Sequence, residues 1–194
     1  WEHPMPRQMT TNFRGVWEPG SALAGNYGSP FELSHQLVDL RIGMEWGWFP
    51  EEDASTILRQ FGDEQFGPGV GPDFARAMQL MEDYWAAEAR RFHFDTNRLT
   101  DQQLAQVKKS LGIAQKARAS LLAAGPKVTR LPLYYKGFVD LAILMELGAT
   151  VNLKREEALR LSEARQLEAA TVAAEEALLA SRQVVQVATA SERY

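Results

Sequence analysis

One glutamate in this chain stands where a barrel enzyme would keep a catalytic carboxylate. Glu18 follows Phe13-Arg14-Gly15-Val16-Trp17, the stretch that reads as a short strand, and it precedes Pro19-Gly20 in a loop rich in glycine and proline. In (β/α)₈ barrels the acids at the C-terminal ends of strands are the usual catalytic groups. A solvated loop glutamate is the plainer alternative. Trp46, Trp48 and Phe49 cluster further on. Their ring faces could stack on the apolar C–H faces of a sugar, although tryptophans between helices more often pack a core. Glu32-Leu33-Ser34-His35 has the Glu-x-x-His spacing of carboxylate-bridged di-iron bundles. Such sites need two copies and two further glutamates, and one copy is present, so no metal site is expected. His93 lacks a carboxylate three or four residues before it, and His3 lies near the terminus.

Other chemistries are excluded by what the chain lacks. There is no cysteine, hence no disulfide, thiolate nucleophile or cysteine-ligated zinc. No phosphate-cradling glycine loop, serine elbow or His-Glu-x-x-His motif occurs, and Gly67-Pro68-Gly69-Val70-Gly71 reads as a connector between helices. No cofactor is implied. The net charge of −4 argues against nucleic acid as a partner. Residues 51–90 carry nine acidic and three basic side chains, and residues 98–130 carry seven basic and one acidic. Acidic helices beside a basic one explain that asymmetry. No run of 18 apolar residues is present, so no membrane-spanning helix is expected. Residues 1–20 show no apolar stretch flanked by basic residues. The chain opens on Trp1, which suggests a processed product or a piece of something longer.

The elements that must position these residues are helices. Residues 1–29 hold closely spaced glycines and prolines and form an irregular segment whose single strand has no partner to satisfy its backbone. That points to a sheet outside this polypeptide. Residues 30–194 form the helical domain. Ser29-Pro30 supplies a cap and first position, followed by the apolar face Phe31, Leu33, Leu37, Leu40, Ile42 and Met44. A second helix starts near Pro50 with Glu51, Glu52 and Asp53 in its first turn, carries Ile57, Leu58, Phe61 and Phe66, and stops at Gly67. A third runs from about Pro72 to Phe92. Thr100-Asp101-Gln102-Gln103 is a capping box ahead of Leu104, Val107, Leu111, Ala114 and Leu121, and Gly125-Pro126 closes that helix. Val128, Leu131, Tyr135, Phe138, Ala142 and Met145 make the next stripe, with Pro132 marking a kink or a late start and Gly148 the end. Residues 154–188 have neither glycine nor proline and predict one long helix. Its exposed face could take a partner helix, though closing its own bundle is the simpler role. The expected fold is all-α, an antiparallel bundle of about five to six helices.

Several of these runs resemble a known family. Glu18-Pro19-Gly20, Gly25-Asn26-Tyr27-Gly28-Ser29-Pro30-Phe31-Glu32-Leu33, Trp48-Phe49-Pro50 and Phe61 to Gly67 look like the junction in alpha-N-acetylglucosaminidase-like glycoside hydrolases and related bacterial proteins. There the last barrel strands give way to an all-helical C-terminal domain. Leu99-Thr100, Ala114 to Ala119 and Arg130-Leu131-Pro132-Leu133-Tyr134-Tyr135 resemble that helical domain, and the likeness spans most of residues 14–145. The motifs are short, and two departures stand out: Pro19 separates the glutamate from the glycine, and Phe66 stands where a tyrosine often precedes the glycine.

The resemblance implies that Glu18 supplies one catalytic carboxylate and that Trp17, Tyr27, Trp46 and Trp48 contact a carbohydrate ligand. A barrel domain absent from this chain would supply the second carboxylate, about 5–5.5 Å away in a retaining enzyme. The chain alone would then be inactive. The compartment is left open by the sequence, with a periplasmic or secreted protein as one option, because bacterial polysaccharide-degrading enzymes are commonly exported. The competing reading is a non-catalytic helical module that scaffolds or binds another protein.

Overall fold

The structure is a computed structural model that describes Arg7, Val38, Arg41, residues 53–87 and residues 98–191. Among the described residues the fold is all-α, a helical bundle without strands. Five helices build it: α1 (Ala54–Phe66), α2 (Gly71–Ala87), α3 (Asp101–Ala124), α4 (Pro132–Glu163) and α5 (Leu167–Ser191). A 3₁₀ turn, Gly125–Lys127, follows α3. The chain divides into two compact units, Trp1–Glu82 with Ala117–Val139 and Asp83–Lys116 with Asp140–Tyr194. The expected boundary between residues 29 and 30 lies outside the described residues. Within the opening segment, Arg7 is helical and its backbone N–H and Nε both donate to Glu82 Oε2, at 3.0 and 2.8 Å.

The first unit is held by rings. Phe66, fully buried at the end of α1, touches Phe61, Phe74, Tyr134, Tyr135 and Phe138 with centroids 5.0 to 6.1 Å apart. Its carbonyl also accepts from the N–H groups of Thr129 and Arg130, at 2.8 and 3.1 Å, so one residue anchors both the core and the connector to α4. Burial pushes the Tyr134 and Tyr135 hydroxyls well above the ordinary phenol range. The Tyr135 hydroxyl donates to the Leu121 carbonyl at 2.7 Å, tying α4 to the end of α3. Between α1 and α2 the backbones nearly touch. A Cβ on Gly71 would fall inside the van der Waals radius of the Arg59 carbonyl, and one on Gly62 would lie 2.7 Å from Gly71 Cα.

Helix ends explain where the sequence reading and the structure part. Asp53 is the N-cap of α1 rather than a first-turn acid: its Oδ1 accepts from Thr56 N–H at 2.8 Å, which lowers its pKa. Glu51 and Glu52 lie outside the described residues. The capping box of α3 forms as expected, Thr100 N–H to Gln103 Oε1 at 2.8 Å and Gln103 N–H to Thr100 Oγ1 at 3.2 Å. Pro132 is a late start: it opens α4, where its missing N–H is harmless. Val128 and Leu131 therefore fall before the helix, Leu131 with a φ of 44°.

Gly148 does not end α4. The buried line Phe138, Leu141, Met145, Ala149, Asn152 and Glu156 continues straight past it, and the packing of that line outweighs the roughly 1 kcal/mol that a helix-interior glycine forgoes. The single helix expected over residues 154–188 is instead divided at residues 164–166. Gln166 N–H reaches the Leu161 carbonyl at 2.9 Å and Arg165 N–H the Ser162 carbonyl at 3.0 Å. This is a Schellman closure with Arg165 in the left-handed region, φ 58°. Glycine usually marks such a turn, and none is there to signal it. In the second unit, Lys154 and Glu176 lie equally far from this turn and pair at 2.8 Å, which makes α4 and α5 an antiparallel hairpin.

Candidate functional site

Two features of the second unit qualify as candidate sites, one built for charge and one for contact. The first centres on Glu156, whose side chain has no accessible surface. It lies on α4 one turn beyond Asn152, on the same buried face. Arg98 donates from Nη2 to Oε1 at 3.0 Å and from Nε to both carboxylate oxygens at 3.2 and 3.3 Å. Arg160, one turn later, donates to Oε1 at 2.8 Å, and Leu99 N–H to Oε2 at 3.1 Å. The two guanidiniums reach outward as well. Arg98 pairs with Glu163, and Arg160 bonds Asp101 at 2.7 Å and the Leu99 carbonyl at 3.2 Å.

This arrangement decides what Glu156 can do. Burial by itself would push its pKa up. The Arg98 and Arg160 hydrogen bonds and the Leu99 N–H outweigh burial and hold the carboxylate down at about 2. A carboxylate has roughly four acceptor positions, and five donor contacts already converge on this one. Glu156 has no lone pair left for a proton transfer or a substrate. It ties residues 98–101, the entry to α3, onto the last turns of α4.

A smaller ion triad joins α4 to α5. Lys154 Nζ lies 2.8 Å from both Glu157 and Glu176, and these two hydrogen bonds push its pKa up to about 12.

The second feature is α5 itself. Its inner face is seated through Ala170, Ala173 and Ala180, all buried. Its outer face leaves Val172, Leu178, Leu179 and Val185 at 55, 52, 57 and 64% exposure. So α5 does close its own bundle, as its sequence suggested, and still presents large apolar side chains to solvent.

The residues singled out for carbohydrate chemistry, Glu18, Trp17, Tyr27, Trp46 and Trp48, lie outside the described residues, as do Glu32, His35 and His93. Among the described residues no group of three or more His, Cys, Asp or Glu is placed to hold a metal ion. No helix among them is long and apolar enough to cross a membrane. Reasoning from sequence overlooked Glu156 because it sits in the charged run Lys154-Arg155-Glu156-Glu157. The available signal was its register, in steps of three and four from Met145 through Ala149 and Asn152. Comparison of the chain with protein-family models, curated proteins and solved structures returns no match.

Proposed function

We propose that this chain is a non-catalytic helical module that works by seating another polypeptide on the outer face of α5. One observation carries the reading: α5 is already docked through its alanine face, and its opposite side still exposes two leucines and two valines. Large exposed apolar side chains ranged along one outward face, on either side of a charged centre line, suit a contact surface rimmed and crossed by polar groups. The buried charge cluster around Glu156 in the same unit is saturated and serves to hold helices together. Hydroxyl-radical footprinting tests the reading. Leu178 and Leu179 should be protected in intact cells and reactive in the dilute purified chain. Equal reactivity in both settings would sink it.

A second reading keeps the carbohydrate chemistry. Its support is the likeness of residues 14–145 to the barrel-to-helix junction of alpha-N-acetylglucosaminidase-like glycoside hydrolases. On this reading the helical region packs against a catalytic barrel, Glu18 supplies one carboxylate, and Trp17, Tyr27, Trp46 and Trp48 line the sugar site. Glu18→Gln in the full-length protein should abolish glycoside hydrolysis with little change in melting temperature. Retained turnover would remove Glu18 from the mechanism.

A further inference from the structure

We infer that the polypeptide seated on α5 is a second copy of this chain, its α5 running antiparallel to the first; this rests on reading α5 as a packing surface. Successive side chains advance about 100° around a helix. On that projection the buried line Ala170, Ala173 and Ala180 lies opposite Glu175 and Arg182. Both charged residues are exposed, and neither makes an ion pair among the described residues. Leu178 and Val185 flank them on one side, and Val172 and Leu179 on the other. The outer face is therefore a charged centre line between two apolar borders.

The order of these residues along α5 selects the occupant. Turned end for end about a point between Leu178 and Leu179, the face returns onto itself with its charge inverted. Leu178 comes level with the partner's Leu179, Glu175 with the partner's Arg182, and Val172 with the partner's Val185. A two-fold interface demands this kind of self-complementarity, because each contact occurs twice with its roles exchanged. Two Glu175–Arg182 pairs then form, one on either side of an apolar centre made by four leucines. A parallel pair would set Glu175 against Glu175 and Arg182 against Arg182, which like-charge repulsion disfavours. The seam from Glu168 to Thr189 is about 30 Å long at 1.5 Å per residue. One helix pair of that length falls at the small end of stable interfaces, so weak and reversible association is expected.

Sedimentation velocity on the full chain, across micromolar to submillimolar concentrations, should show a reversible monomer–dimer equilibrium that weakens in high salt. Glu175→Arg and Arg182→Glu should each weaken the dimer about tenfold or more, and the double reversal should restore it. Both side chains are exposed, so unchanged melting curves in dilute solution separate loss of association from loss of folding. Helix order has its own test, since the chain has no native cysteine. Glu175→Cys and Arg182→Cys variants should form an intermolecular disulfide when mixed and not when oxidised separately. A monomer at every concentration overturns the second copy, as does a double reversal that dissociates like the single variants. Self-cross-linking of either variant overturns the antiparallel order. If the purified chain stays monomeric while Leu178 and Leu179 remain protected in cells, the second copy falls and the packing surface stands. If protection is absent too, both fall.

Discussion

The two units of this chain solve the same problem with different materials. In the first, five aromatic rings from α1, α2 and α4 converge on Phe66, and shape fills the space. In the second, much of the packing is small: Ser110 and Ala114 on α3, Ala149 on α4, Ala170, Ala173 and Ala180 on α5. Small residues let helices approach closely but bury little apolar area apiece. There the fixed points are polar, Glu156 between two arginines and the Tyr84 hydroxyl on the Met145 carbonyl at 3.0 Å. A ring core is vulnerable to deletion of volume, whereas an ion lock is vulnerable to deletion of charge. The two units should therefore fail under different insults.

The largest expected effect lies in the ring core. Phe66→Ala should destabilise the chain by about 3–5 kcal/mol, since it opens a cavity touched by five rings. Urea unfolding would measure it, and a loss below about 1 kcal/mol would show that the rings around Phe66 can collapse inward. Glu156→Gln comes next, at about 2–3 kcal/mol, because it takes the charge from between Arg98 and Arg160 while both remain partly hydrated and keep outer carboxylate partners.

The same lock predicts a pH dependence. The folded-state pKa of Glu156, about 2, lies below its ordinary value of 4.5. Its stabilisation is thus complete above the ordinary value and is lost as pH falls through that window toward 2. Urea midpoints should fall faster with acid in the wild type than in Glu156→Gln. Parallel curves would mean that the carboxylate is not held down.

Gly71→Ala should cost about 1–3 kcal/mol by forcing α1 and α2 apart, a shift in thermal midpoint that a small repacking of α2 would erase. The smallest effect runs the other way. Arg165→Gly should stabilise the α4–α5 turn by roughly 1 kcal/mol, because glycine adopts the left-handed region without a Cβ clash. A loss of stability there would mean that the Arg165 side chain itself holds the turn.

Much of the helical architecture was readable from spacing alone. The capping box at Thr100, the stop at Gly67, and Phe61, Phe66, Tyr135 and Phe138 as buried positions all follow from local rules that act over a turn or two. The candidate site was far less readable. Arg98 and Glu156 are 58 residues apart, and nothing near either one announces the other. The outer face of α5 was visible as a run of alanine, leucine and valine, but a linear pattern does not say which of its apolar residues a neighbour already covers.

Composition and periodicity determined that the chain is helical and where several helices begin, because capping and apolar stripes are short-range physics. Tertiary structure alone decided that α4 passes through Gly148, that Arg165 takes a turn normally given to glycine, that Glu156 is a lock, and that α5 keeps one face outward. Each of those outcomes is a balance between a local preference and burial against distant residues, and burial is settled only once the helices have found each other.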